Sequence, residues 1–283
     1  MTGENVLIFG LGYSGGAIAT ALRNAGCSVV GTTRAGSNGS IPFDAAGDAV
    51  QSATHVLTTA GPDEHGDPVL ARYAAAIEGA PRLRWIGYLS STVVYGNRDG
   101  GWVDEDTPVA PTQGRGQRRV DAEDAWSRLG DRCSVDIFRL AGIYGPGRSA
   151  FDDVRAGRAR RMDKPGHQFG RIHRDDIAAA VVAAIGQDRP PGRRVLNLAD
   201  DEPSESAAVV TEAAALLGVT APPYVSFDEA LPAMSPMARS FWAENRRVAS
   251  AKTKAVLGIT WRYPTYREGL RAILAEERGD RLA

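Results

Sequence analysis

The stretch Gly10-Leu11-Gly12-Tyr13-Ser14-Gly15 constrains this chain more than any other. It follows a short apolar run, Val6 to Phe9. It precedes a segment from Gly15 to Asn24 in which Ile18, Ala21 and Leu22 share one helical face, with Gly26 placed to stop the helix. A turn from a buried strand straight into a helix gives each glycine a job. Gly10 permits the tight turn, Gly12 lets the backbone approach a pyrophosphate, and Gly15 allows close helix–strand packing. The helix N-terminus adds unpaired N–H groups and a partial positive charge. A glycine turn without a ligand is the plainer alternative; strand, loop and helix in sequence select dinucleotide binding by Gly10, Gly12, Tyr13, Ser14 and Gly15.

Strand-like runs alternate with helical patterns through the first 200 residues. Ser28 to Thr32, Val56 to Thr59, Trp85 to Ser90, Val135 to Leu140 and Val195 to Leu198 read as strands. Leu70, Tyr73, Ala74 and Ile77 repeat at helical spacing, as do Ile177, Val181 and Ile185, and Val120 to Leu129 reads as a helix. Such alternation predicts an α/β fold, a Rossmann-type doubly wound parallel sheet with helices on both faces. Beyond residue 200 the pattern changes: helices near 204–217 and 267–278 flank a Pro222-Pro223 break. The expected division is a dinucleotide-binding domain over 1–145, with 172–200 returning to it. A smaller α+β substrate lobe would comprise 146–171 and 201–283. Residues 34–40 form a polar, glycine-rich loop.

The second strand ends Gly31-Thr32-Thr33-Arg34. NAD sites usually place an acid near this point to grip the ribose hydroxyls. Here there is none. Arg34 suits charge-assisted hydrogen bonds to a 2′-phosphate, and Thr33 offers a hydroxyl, so NADP(H) is favoured over NAD. A solvated loop charge is the alternative for Arg34.

Lys and Arg number 33 against 34 Asp and Glu, which argues against a dedicated nucleic-acid binder. No apolar run is long enough for a membrane span, and the N-terminus lacks the basic region of a signal peptide. Cys27 and Cys133 are the two cysteines, read as reduced thiols in a cytoplasm. The histidines lack metal-ligand spacing, so no metal is expected.

Four further segments resemble the NAD(P)-dependent epimerase/dehydratase group, the extended short-chain dehydrogenases/reductases. They are Thr59-Ala60-Gly61, Ser90-Ser91-Thr92-Val93-Val94-Tyr95-Gly96, Arg139-Leu140-Ala141-Gly142-Ile143-Tyr144-Gly145-Pro146-Gly147, and Arg171-Ile172-His173-Arg174-Asp175-Asp176. The resemblance covers nearly the whole chain. It implies that Thr59, Ala60, Gly61 and Leu140 border the cofactor and that Asp44 faces its adenine. It also implies a small-molecule substrate and a homodimer formed through helices that include 120–129. His173 and Asp176 read as residues that tie the lobes together.

The family's chemistry usually needs a Tyr and a Lys four residues later, the ammonium lowering the phenol pKa so that it exchanges a proton. The matching stretch after Pro111 reads Gln113-Gly114-Arg115-Gly116-Gln117, with glutamine at both positions. Glutamine hydrogen-bonds but cannot act as an acid or base. Ser91 matches the family serine, leaving Ser91, Tyr95 and Gln113 as candidate catalytic residues in an atypical member. Arg115, Arg118 and Arg119 form a cationic cluster, either a solvated face or a hold for an anionic substrate. Two functions follow. One is an NADP-dependent oxidoreductase or epimerase-like enzyme on a small polar, sugar- or nucleotide-related substrate. The other is a non-catalytic dinucleotide-binding redox sensor.

Overall fold

A computed structural model describes residues 3–37 and 39–280. Met1, Thr2, Asn38 and 281–283 lie outside the described residues, and with them the reading of the first two residues and of Asn38 in the polar loop. The centre is a seven-stranded parallel sheet. Its strands are β1 (Asn5–Phe9), β2 (Ser28–Thr33), β3 (Ile41–Pro42), β4 (His55–Thr58), β5 (Trp85–Ser91), and the strands Ser134–Leu140 and Gly192–Leu198. Across the sheet the order is Gly192–Leu198, Ser134–Leu140, β5, β4, β1, β2, β3. The chain therefore runs outward from β1 in one direction, then returns to β4 and runs outward in the other. A crevice opens where two such runs part, at the carboxyl ends of β1 and β4.

Both faces of the sheet are covered, and β1 shows how the sequence arranges it. Val6 and Ile8 pack with Ile18 and Leu22 of α1 (Tyr13–Asn24). Leu7 and Phe9 point the other way, toward α2 (Gly47–Ser52) and α3 (Pro68–Gly79), through Val50, Val69 and Tyr73. Side chains alternate across a strand, so a strand buried on both faces is apolar at every position. α3 begins at Pro68 and is capped by Asp67, whose Oδ1 accepts the Val69 and Leu70 N–H groups.

α4 (Gly114–Ser127) begins six residues before the expected Val120. Gly114 and Gly116 weaken the local helical signal, but tertiary packing requires Gly116. A β-carbon there would stand 2.8 Å from Pro111 Cβ and 3.2 Å from the Val93 carbonyl oxygen. Only glycine lets the helix approach this turn so closely.

Two charged groups inside the sheet are matched in place. Arg139, 3% exposed, donates through Nη2 (2.7 Å) and Nε (3.2 Å) to Glu123 Oε2 of α4, itself 1% exposed, and Ser90 Oγ donates to Glu123 Oε1 at 2.6 Å. Asp136 accepts from Arg189, Arg194 and the Trp85 indole. Buried charges survive only when paired and hydrogen-bonded.

Two more helices, α5 (Ala150–Arg155) and α6 (Arg174–Ile185), follow. α6 joins the face covered by α1. α5 packs with the helices Ser206–Leu217 and Tyr266–Arg278 around Phe151, Val209, Tyr266 and Ile273, a separate core. Capping boxes at Ser149/Asp152 and Thr265/Glu268 start α5 and the last helix. Among the described residues no helix is long and apolar enough to cross a membrane.

Candidate functional site

The glycine loop lies in the crevice between β1 and β4. Gly10 has φ +98°, a backbone region that favours glycine, and its carbonyl accepts the Thr59 hydroxyl at 2.7 Å. A β-carbon at Gly15 would sit 2.1 Å from the Gly10 carbonyl oxygen, so this glycine sets the contact between helix and loop. Gly12 differs: nothing stands within 4 Å of a β-carbon built there. Its backbone is open to a ligand. α1 carries no acidic residue in its first turn to oppose an anion. These residues fit a dinucleotide pyrophosphate. The Tyr13 hydroxyl donates to the Pro146 carbonyl at 3.0 Å, while Ser14 stands half-buried in the first turn of α1.

At the outer edge of the crevice, Arg34 is exposed. Thr33 is already engaged: its Oγ1 shares a hydrogen bond with Ser40 and accepts the Gly36 and Ser37 N–H groups. The hydroxyl expected for a ligand instead shapes the turn that presents Arg34. Asp44 is exposed and ion-paired with Arg72 at 3.1 Å. Thr59 is spent on the glycine loop, Ala60 is half-buried, and Gly61 is exposed. A β-carbon on Gly61 would meet the Arg119 guanidinium at 2.6 Å.

A cavity of about 540 Å³ lies beyond the end of β5. Of the expected residues, Ser91, Gln113 and Leu140 line it. Ser91 accepts the Val93 N–H, and Gln113 Nε2 donates to the Ser240 carbonyl. Tyr95 does not reach it. That side chain is wholly buried, its hydroxyl donating to Asn197 Oδ1 at 2.8 Å and its ring under the Arg139 guanidinium. Burial raises its pKa, which leaves the phenol neutral and its proton held within the fold.

Gln113 and Gln117 do not share a face of the cavity. Gln117 is exposed and donates to Asp121 on the outside of α4. The pair one helical turn apart that does face the cavity is Arg115 and Arg119. Arg118 points outward. The cationic cluster in the sequence thus divides: two arginines face inward and one is solvated. Five arginines (115, 119, 148, 171 and 246) line the cavity against one acid, Glu244, which is held by Arg246 at 2.7 Å and by Thr112.

His173 and Asp176 join elements. His173 Nδ1 accepts the Asp175 N–H and caps α6; burial holds its pKa down to about 4, keeping the ring neutral as an acceptor must be. Asp176 accepts the Arg262 and Tyr263 N–H groups at 2.7 and 3.1 Å.

Asp200, after the strand Gly192–Leu198, is 1% exposed, and neither carboxylate oxygen has a hydrogen-bond partner among the described residues. Burial pushes its pKa up to about 8, against the pull of nearby Arg171. Between about pH 4 and 8 the folded chain keeps a proton that the unfolded chain releases, so stability falls as pH rises through that window. Asp200→Asn is expected to melt higher than the parent above pH 8, by about 2–4 °C per kcal/mol relieved. The gap should close toward pH 5. Scanning calorimetry from pH 5 to 9 checks the trend.

The comparisons bear on this arrangement. No protein-family model matches the sequence. Protein YeeZ of Escherichia coli K12 is 30% identical over 145 residues, 51% of this chain, and the match spans half of YeeZ. The structure of a functionally unknown conserved protein from Silicibacter pomeroyi is 41% identical over 96% of this chain and 98% of its own, with a TM-score of 0.88. A structure from Methylobacillus flagellatus, assigned to the NAD-dependent epimerases/dehydratases, is 25% identical over 97% of this chain and 99% of its own, with a TM-score of 0.73. The chain resembles NAD(P)-dependent epimerase/dehydratase proteins in fold and in sequence motifs. The glycine loop, the Thr59–Gly61 run and the cavity beyond β5 lie along the same edge of the sheet, Arg119 reaching from the cavity wall to Gly61.

Proposed function

We propose that this chain binds NADP(H) and acts as an oxidoreductase of the epimerase/dehydratase kind on a small polar, sugar- or nucleotide-related substrate. The observation that carries this reading is the open glycine cradle at the sheet's switch point, on the same sheet edge as a cavity of about 540 Å³. The nicotinamide would supply the hydride. Gly10, Gly12 and Gly15 with the start of α1 would hold the pyrophosphate, and Leu140 and Gly61 would border the cofactor's inner half. Ser91 would hydrogen-bond the substrate oxygen. On this reading the chain works without the usual Tyr-x-x-x-Lys pair, and proton exchange falls to water. The substrate lobe would be 146–171 with 201–283.

Titration with NADPH and NADH, followed by a screen of carbonyl compounds for NADPH oxidation, tests the reading. Binding to neither dinucleotide overturns it. Arg34→Ala is expected to weaken NADPH by about tenfold or more, the loss of charge-assisted hydrogen bonds to a phosphate, and NADH by less than about twofold. Equal losses would remove Arg34 from the phosphate site.

One observation favours the second reading, a dinucleotide-binding sensor. The cavity-facing residues of α4 and its N-cap, Gln113, Arg115 and Arg119, offer an amide and two guanidinium groups, donors rather than a general acid or base. Tight NADPH binding with no turnover across the screen would select it.

A homodimer through α4 is part of the same proposal. The outward residues of α4 include Gln117, Arg118, Asp121 and Asp124, so such an interface would be polar. Sedimentation of the purified chain measures it.

A further inference from the structure

Arg115 and Arg119 are the cavity's unusual pair. They stand one turn apart on α4, and neither forms an ion pair among the described residues. Arg119 is fixed through Nη1, which donates to the Tyr88 hydroxyl at 3.0 Å and the Leu89 carbonyl at 2.8 Å. Its second amino group points at Gly61. Arg115 lies over the Phe241 ring at 5.1 Å, with Met237 Sδ 3.7 Å from Nη1. An aromatic face and a thioether take water from a guanidinium without neutralising it. Burial accordingly draws the Arg115 pKa down, as do Arg119 and Arg118. The single acid on the cavity wall is already bonded to Arg246 and Thr112, so the lining carries a net charge of +4.

We propose that Arg115 and Arg119 form a two-guanidinium clamp for an oxyanion of the substrate, a carboxylate or a phosphate. It lines the same cavity as Ser91, and Arg119 reaches from it toward Gly61. Guanidinium groups present paired N–H donors that match two oxygens of such a group. Rigid positioning of Arg119 means that little freedom is lost on binding, and partial desolvation of Arg115 strengthens the attraction. The substrate class narrows accordingly: the substrate carries an anionic group held within the cavity that Ser91 also lines. This rests on the cavity being the substrate site; the test separates the clamp from the dinucleotide reading.

The probes are oxalate and inorganic phosphate. Each is titrated calorimetrically into the full-length protein, with and without saturating NADPH. The parent protein is expected to bind at least one of them. Arg115→Gln and Arg119→Gln should each weaken that binding about tenfold or more, and Arg115→Lys, which keeps the charge but loses the fork, should fall between. Arg118→Gln, on the solvated side, should stay within about twofold. Ligand-free melting curves establish that the variants fold; if loss of the Tyr88 and Leu89 contacts unfolds Arg119→Gln, Arg115→Gln carries the test. Whichever probe binds more tightly names the oxyanion. Absence of binding by the parent, equal loss in Arg118→Gln, or displacement of the oxyanion by NADPH would each overturn the clamp. NADPH titration of the same samples reads the cofactor separately. A protein that holds oxalate or phosphate through Arg115 but binds no NADPH keeps the clamp and loses the dinucleotide reading.

Discussion

Glu123→Gln is expected to destabilise the fold by about 3–5 kcal/mol, the usual consequence of removing one partner from a buried ion pair. The substitution keeps the shape of the side chain and removes its charge. Arg139 is then left in the sheet, 3% exposed, with no anion to replace the one it bonds through Nε and Nη2. Ser90 loses a charged acceptor, and Arg193, 3.8 Å from Glu123, loses a weaker partner. The effect reaches the site because Glu123 lies on α4, one turn beyond Arg119, and Arg139 immediately precedes Leu140. Urea unfolding of the parent and variant measures it. A loss below about 1 kcal/mol would mean that the pair is not held as described. Changing both residues to apolar ones of similar volume should recover much of the loss, because the penalty comes from the orphaned charge.

On the proposed dinucleotide reading, Gly15→Ala is expected to reduce dinucleotide affinity by roughly a hundredfold and to destabilise the chain by roughly 1–3 kcal/mol, the range for overpacking a tight contact. The new methyl would lie 2.1 Å from the backbone oxygen of Gly10, which cannot rotate away as a side chain would. α1 must move off the loop, taking with it the N–H groups that face the pyrophosphate. Gly16→Ala is the control. Nothing stands within 4 Å of a β-carbon there, so the same chemical change one residue on should stabilise the helix by a few tenths to about 1 kcal/mol. NADPH fluorescence titration and urea unfolding read both variants. Equal behaviour of the two would deny Gly15 its packing role.

Six of the seven strands were legible because each contains a short apolar run; β3 (Ile41–Pro42) is too short to show one, and the strand Gly192–Leu198 starts three residues before its apolar run. The expected strands at 28–32, 85–90 and 135–140 fall within one residue at either end of those observed. α4 was less legible. Glycines at 114 and 116 and charges at 115, 118 and 119 lack the apolar repeat that marks a helix, so the segment before Val120 reads as loop. The pairing of Gln113 with Gln117 came from matching the family's Tyr and Lys positions. Helical geometry from Gly114 onward turns Gln117 to solvent and brings Arg115 and Arg119 inward. Tyr95 was misplaced for a related reason. A tyrosine next to a serine-rich segment looks available, but the short helical turn Thr92–Tyr95 carries its ring into the core beside Asn197. The acid pairing of Asp44 with Arg72 and the hydrogen bonds of Thr33 depend on which loops meet, and no local pattern encodes them.

Local sequence alone carried the alternating sheet, the crevice loop at Gly10–Gly15, the lack of an acid at Arg34 and the resemblance to the epimerases/dehydratases. All of these depend on residues close together in the chain, where backbone conformation and apolar periodicity are written locally. Only the tertiary structure decided which residues share the cavity. Arg115 and Arg119 join Ser91 there because Gly116 lets α4 press against the Thr92–Tyr95 turn, a contact between segments some twenty residues apart. Their unbalanced charge is likewise a property of the fold, set by the single acid, Glu244, on the same wall and by the Arg246 and Thr112 side chains that already hold it.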